Sequence, residues 1–201
     1  MVCTGNVCRS PLAERVGSAH LRRLLGEDAG LIRIASAGTR AVVGSDMDPA
    51  SARVLCELGG DPAGFRARQL ADAMAVRADL TLTMTRSHRH EVLARAPRAM
   101  SRTFTLLEAA GLLELVGPDG AADAGTPAER VSSLTRAMAA ARCRRPSRGE
   151  DDVLDPIGLP EEVHAQVGRV IADALVPVLD RIAAAVLGAE PARPEIEQSR
   201  S

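Results

Sequence analysis

Aromatic side chains are nearly missing from this sequence: its 201 residues include two phenylalanines, Phe65 and Phe104, and no tryptophan or tyrosine. Any ligand pocket will be poor in aromatic walls, and the core must come from Ala, Val and Leu within a hydrophobic fraction of 46%. An excess of one charge is also missing. The formal net charge of -1 gives no global field to draw in nucleic acid or an anionic membrane. The longest apolar helical tract, Val170 to Leu187, is broken by Asp173, Asp180 and Arg181, which a bilayer centre penalises heavily, so it reads as an amphipathic helix and no membrane partner is expected. No charged segment followed by an apolar one opens the sequence, which makes the cytoplasm the expected location. Cysteines stand at positions 3, 8, 56 and 143, with no C-x-x-C pair and too little density for a disulfide scaffold. Reduced thiols are expected.

What is present is a beat of strands and helices sized for one domain, residues 1–188, with a polar, Pro-containing tail from Ala189 to Ser201 expected to be disordered. Ser10-Pro11 supplies a helix cap and a first-turn proline, predicting a helix from Pro11 to about Leu25. Leu31 to Ala37 reads as a buried strand, and Pro49 to Leu58 as a helix closed by Gly59-Gly60. Asp79 to Thr85 alternates as a strand does, followed by a helix from Ser87 to Ala96 and a strand near Arg102 to Leu106. Leu107 to Arg148 carries two helical stretches around a Gly/Pro/Asp segment, and a turn-rich loop from Asp151 to Pro160 leads into a last helix, Glu161 to Leu187. Strands separated by helices imply a parallel sheet.

The most informative string is Cys3-Thr4-Gly5-Asn6-Val7-Cys8-Arg9-Ser10-Pro11, a C-x5-R-S pattern opening directly onto a helix. Backbone amides of such a tight loop, Thr4 to Ser10, converge on one tetrahedral anion, and the helix N-terminus adds partial positive charge at the same point. Arg9 adds a planar, bidentate fork suited to phosphate oxygens. Positive potential there favours the thiolate of Cys3, the nucleophilic form. Ser10 is placed to donate to that sulfur, and Asn6, which tolerates left-handed geometry, to brace the loop.

At these residues the sequence resembles the low-molecular-weight protein tyrosine phosphatase family, whose phosphate-loop signature looks like C-T-G-N-V-C-R-S-P throughout. Ser36-Ala37-Gly38-Thr39, Ala67-Arg68-Gln69-Leu70 and Ala78-Asp79-Leu80 with Met84 are similar to further family segments in the family's order, and Asp155-Pro156 resembles the loop carrying its general acid. The resemblance implies a three-layer α/β/α fold on a parallel sheet of about four strands. It implies phosphomonoester hydrolysis through a phosphocysteine, acting on a phosphorylated protein or a small phosphomonoester, with no metal and no organic cofactor. By the same resemblance Cys3 is the nucleophile, Arg9 the phosphate clamp and Asp155 the acid and base, with Asn6, Ser10 and Ser36 supporting the loop.

Two departures stand out. Only Met1 and Val2 precede Cys3, where the resemblance implies a full hydrophobic strand, so the first strand is expected to be largely missing. Either coding sequence continues upstream of Met1, or this chain is a damaged copy. Ile157, Gly158, Val42 and Val43 stand where aromatics usually flank an aryl phosphate, which weakens aryl stacking and leaves chemistry at phosphorus better supported than a preference for phosphotyrosine. Two alternatives follow. An arsenate reductase on the same fold needs two relay cysteines, and Cys56 and Cys143 lack the spacing; a non-catalytic phosphate-binding remnant is favoured by the short first strand. Elsewhere Cys8 is expected to pack or to pair reversibly with Cys3, Cys56 to sit in the core, Cys143 to be an exposed loop thiol, and His88, His90 and the run Arg142 to Arg148 to be solvated.

Overall fold

The computed structural model describes residues 1–117, 125–145 and 151–188. The expectations for the tail from Ala189, for most of the Gly/Pro/Asp segment and for Arg148 lie outside the described residues. Four short strands alternate with helices: β1 (Val2–Cys3), α1 (Arg9–Leu25), β2 (Ala37–Gly38), α2 (Pro49–Glu57), α3 (Asp72–Arg77), β3 (Thr81–Thr83), α4 (Arg86–Arg95) and β4 (Thr103–Thr105). Three longer helices follow, α5 (Leu106–Val116), α6 (Pro127–Ala141) and α7 (Glu161–Leu187), the last continuous through Pro177. The strands form one parallel sheet in the order β2-β1-β3-β4.

Successive strand residues face opposite sides of a sheet, and the two residues of β1 divide in this way. Cys3 joins the larger core, with Leu12, Leu55, Leu82, Phe104, Leu112 and Leu175, whereas Val2 joins a smaller one with Ala37, Leu70, Ala75 and Val92. Helices therefore cover both faces, as the alternation of strands and helices predicts. Gly17 lets α1 press against α7: a Cβ there would come within 2.9 Å of Ile34 and 3.0 Å of Leu179.

Local elements differ from expectation at three places. α1 begins at Arg9, with Cys8 rather than Ser10 in the cap position and no side-chain cap bond, because the Ser10 hydroxyl is turned toward Cys3 instead. The strand expected over Leu31 to Ala37 is regular only at Ala37–Gly38, and that over Asp79 to Thr85 only at Thr81–Thr83. The physical reason is the shortness of β1. Its bonds to the β2 side end where the Met1 amine donates to the Ala35 carbonyl (2.7 Å) and Ala37 N–H to the Met1 carbonyl (3.0 Å). The expected loss of ladder partners is thus partial: Val2 still pairs with Ala37 on one side and Thr83 on the other. Beyond Met1 lies a cavity of about 650 Å³ bordered by Ile32, Ile34, Leu80, Leu82, Leu179 and Ile182.

Candidate active site at the phosphate loop

The loop from Cys3 to Cys8 leaves the C-terminal end of the central strand β1 and enters α1. Its carbonyls are held from outside: Thr39 N–H donates to Cys3, Arg40 to Thr4, Val42 to Gly5, Asp48 to Val7 and Leu12 to Cys8, at 2.9–3.2 Å. The amides of Thr4, Gly5, Asn6, Val7 and Cys8 have no protein acceptor among the described residues. Carbonyls turned outward and amides left free is the arrangement of an anion nest. Asn6 permits the reversal of direction with φ 55°, the one non-glycine residue with positive φ among the described residues. Gly38 permits the close approach of β2, since a Cβ there would lie 2.4 Å from the Thr4 carbonyl oxygen.

A ring of polar groups, buried at Asn6, Ser10 and Ser36, orients the loop from behind. The Asn6 amide spends both hydrogens, one on the Ser10 hydroxyl (2.9 Å) and one on the Ser36 hydroxyl (2.8 Å). Each serine must then direct its own proton elsewhere. Ser36 donates to Glu14 Oε2 at 2.5 Å, and Ser10 has the Cys3 sulfur at 2.9 Å, nearer than the Ala37 carbonyl at 3.5 Å. The Asn6 carbonyl oxygen accepts from Arg68 N–H, and the Arg68 guanidinium pairs with Glu14 at 3.2 Å. Gln69 bridges the turn after β2, accepting from Ala41 N–H and donating to the Thr39 carbonyl. Asn6 thus links Ser10 and Ser36 behind the loop. Glu14 was missed, although its position four residues after Ser10 on one face of α1 was the available signal.

On the open side, Arg9 is 4% exposed and donates through Nη1 to the Val153 carbonyl (3.0 Å) and through Nη2 to the Asp155 carboxylate. The loop bearing Asp155 is tied to the sheet, because Val153 N–H donates to the Met84 carbonyl (2.8 Å) and Met84 N–H to the Val2 carbonyl (2.9 Å). Arg9, in the loop that Cys3 opens, and Asp155 are thus brought together despite the sequence gap. Asp151 and Asp152 are engaged elsewhere, by Arg145 and Arg86. The rim is apolar without aromatics: Val42, which packs over Gly5, and Val43, Leu154 and Ile157 are all exposed.

His88 overturns its expectation. It is 4% exposed rather than solvated, with Nε2 2.8 Å from the Thr4 hydroxyl and Nδ1 2.9 Å from the Thr85 hydroxyl. Thr85 already accepts from His88 N–H, so its proton is free for Nδ1 and the ring donates from Nε2 to Thr4. Burial, reinforced by the Arg9 charge, lowers the His88 pKa to about 4, so the ring is neutral. Cys8 is buried, and burial pushes its thiol up to about 12. Cys56 is exposed, contrary to expectation, because Ser51, Val54 and Leu55 take the inward face of α2. Cys143 and His90 are exposed as expected. Within the basic run Arg142 and Arg145 are not solvated as expected: Arg142 stacks 4.4 Å from the Phe104 ring centroid and pairs with Glu108, and Arg145 pairs with Asp151, while Arg144 is exposed. No helix among the described residues is long and apolar enough to cross a membrane.

Comparison with known proteins agrees with this geometry. A probable low molecular weight protein-tyrosine-phosphatase, EpsP of Ralstonia solanacearum, is 37% identical over 108 residues, 54% of this chain and 69% of that protein. A protein-arginine-phosphatase of Geobacillus stearothermophilus is 30% identical over 182 residues, 90% of each chain. The crystal structure of a low molecular weight protein tyrosine phosphatase from T. tengcongensis superposes with a TM-score of 0.59 at 29% identity, covering 90% of this chain and 94% of that one. The model of the low molecular weight phosphotyrosine protein phosphatases matches residues 1–113, the half that carries the free-amide loop, Arg9 and their supporting ring. The chain belongs to the low molecular weight phosphotyrosine protein phosphatase family, a family of phosphatase hydrolases.

Proposed function

We propose that residues 1–188 form one phosphatase domain that hydrolyses phosphomonoesters through a phosphocysteine on Cys3, with protein-bound phosphotyrosine as the leading substrate. The observation that carries this reading is the cluster of loop amides free of protein acceptors, sharing one loop with Cys3 and Arg9. The Cys3 thiolate attacks phosphorus, and the leaving ester oxygen takes a proton from Asp155. Water then attacks the phosphocysteine, Asp155 accepts its proton, and Cys3 leaves as thiolate with the Ser10 hydroxyl donating to it. Arg9 and the amides stabilise the equatorial oxygens as charge redistributes. The Asp155 carboxylate on Arg9 Nη2 stands in for a phosphate oxygen. An arriving phosphate dianion competes for that guanidinium and frees Asp155 to face the leaving group.

A second substrate class has an observation in its favour. The relative that aligns with 90% of the chain is named for protein arginine phosphate, and the rim of Val42, Leu154 and Ile157 offers no aromatic face for an aryl ester. Parallel assays on a phosphotyrosine peptide and a phosphoarginine peptide, with acid-quench trapping of phosphorylated protein, decide between them. Turnover of the tyrosyl peptide with a trapped adduct on Cys3 is the expected result. Preference for the arginyl peptide moves the substrate and keeps the mechanism, whereas turnover without an adduct removes the covalent route. Arsenate-dependent oxidation of thioredoxin would replace the phosphatase reading with that of a reductase.

A further inference from the structure

Where the phosphate loop runs into α1, three metal-ligating groups of different chemistry meet. Cys8 ends the loop, Asp48 caps α2, and His164 lies in the first turns of α7. Cys8 Sγ, a carboxylate oxygen of Asp48 and an imidazole nitrogen of His164 all lie within 4.8 Å of one another. Cys8 and His164 are 4% and 3% exposed, so neither is a surface ligand in free solution. His164 Nδ1 is 3.5 Å from Asp48 Oδ1. A tetrahedral zinc ion with ordinary N and O bond lengths sets its ligand atoms about 3.4 Å apart, so the Asp48 carboxylate and the His164 ring already stand close to the required separation.

The surrounding hydrogen bonds prepare these atoms for such a role. Ala50 N–H and Ser51 N–H both donate to Asp48 Oδ1 at 3.0 Å, leaving Oδ2 without a hydrogen-bond partner among the described residues. The Ser51 hydroxyl lies 2.9 Å from His164 Nδ1 and would yield that nitrogen to the ion, with water as the fourth ligand. Asp48 is 20% exposed at its side chain, which gives an ion a way in.

We propose that Cys8, Asp48 and His164 form a zinc site that staples the back of the phosphate loop to α2 and α7. The donor set selects the metal: a thiolate disfavours Mg²⁺ and Ca²⁺, and thiolate, imidazole and carboxylate together suit Zn²⁺. Binding expels the Cys8 thiol proton to solvent, and the Cys8 and Asp48 charges then neutralise the dication, offsetting the positive ends of the helices that meet there.

The decisive experiment measures zinc binding to the full chain by calorimetry and by the cobalt(II) thiolate charge-transfer band, using a Cys3→Ser background so that the catalytic thiol cannot bind the ion and no activity is needed. One equivalent should bind and raise the melting temperature by several degrees. His164→Gln in that background should weaken binding by at least ~10–100-fold, the loss typical of disturbing even an outer-shell partner. Asp48→Asn, which keeps the helix cap because asparagine caps as well as aspartate, should do likewise while preserving the metal-free melting temperature, and it decides the matter if the histidine variant fails to fold. Zinc that binds wild type but is lost in Cys3→Ser places the metal on the catalytic thiol and overturns the proposal. So does affinity unchanged in Asp48→Asn, or no saturable binding at all. Because the readout is binding in an inactive chain, its outcome is independent of the phosphatase assignment.

Discussion

At the C-terminal end of β1 the carbonyls of Cys3, Thr4, Gly5, Val7 and Cys8 each find an N–H donor, and a hydrogen-bonded ring of Asn6, Ser10, Ser36, Glu14 and Arg68 orients what those bonds leave free. At the other end of the same strand the ladder stops at Met1, and a cavity of about 650 Å³ opens between Ile32 and Leu80. The site end is organised by side chains and amides within one loop and the turns that touch it, so it needs little of β1 beyond Val2 and Cys3. The cavity end depends on a ladder, and Ile32 to Ser36 form no regular strand there. Geometry for chemistry and geometry for stability are therefore separable along one strand, and substitutions at the two ends should read out differently.

The largest effect belongs to the loop. Cys3→Ser should abolish turnover yet leave inorganic phosphate binding within a few-fold, because the free amides and Arg9 remain; turnover surviving in that variant ends the covalent reading. Arg9→Lys should lower kcat/KM by ~10²–10³, the loss expected when an oriented donor to a transition-state oxygen is removed, since a point charge cannot replace the fork. Near-normal steady-state kinetics would take Arg9 out of that role. Asp155→Asn should slow esters with poor leaving groups by ~10²–10⁴ and activated aryl esters far less, because an oxygen that leaves as a stable anion needs little proton donation. A common factor across the ester series would instead make Asp155 a structural turn residue.

Packing substitutions sharpen the comparison from the stability side. Leu12, 2% exposed in the first turn of α1, lies just past the phosphate loop, and Leu12→Ala should cost ~2–5 kcal/mol in denaturant unfolding, as truncation in a close-packed core does. Ile32 borders the cavity and is only partly buried, so Ile32→Ala should cost no more than ~1 kcal/mol, having fewer contacts to lose. Equal losses at the two positions would mean that the cavity end is as well packed as the site end.

The same division marks what could be read in the sequence. The loop was legible because its pattern is local: Cys3, left-handed Asn6, Arg9 and the hydroxyl of Ser10 fall within eight residues, and the helix that follows advertises itself by Pro11. Asp155 was singled out by the family resemblance, since an Asp-Pro pair alone reads as a turn, and no local physics could place it on Arg9. The outer ring was harder. His88 hides among Arg86, Ser87, Arg89 and His90, and only its place between Thr85 and Val92, on one face of α4, betrays that it turns inward. Cys56 misled because its neighbours in sequence are apolar, whereas helical spacing turns it away from Val54 and Leu55. Strand lengths were overestimated because alternation reports which faces are buried and says nothing about how far a partner strand extends.

His88 links the two kinds of readout through pH. Its folded pKa is lowered to about 4 from an ordinary 6.5, by burial first and the neighbouring Arg9 charge second. The unfolded chain takes up a proton as pH falls through about 6.5, while the folded chain resists until about 4. Over that window the unfolded state binds more protons, so stability falls with falling pH by at most ~1.4 kcal/mol per unit. Above about 6.5 neither state is charged and the contribution is constant; near pH 4 the accumulated loss approaches ~3 kcal/mol at most, less to the extent that solvent screens the ring. His88→Gln, which can still donate to the Thr4 hydroxyl, should remove this slope and leave stability at pH 7.5 within ~1 kcal/mol of wild type. Unfolding free energies measured by urea at half-unit steps from pH 7.5 to pH 4.5 give the check, with the carboxylates common to both chains cancelling in the difference. If the two curves stay parallel, His88 is protonated equally in both states, and the neutral ring assigned to the back of Thr4 is wrong.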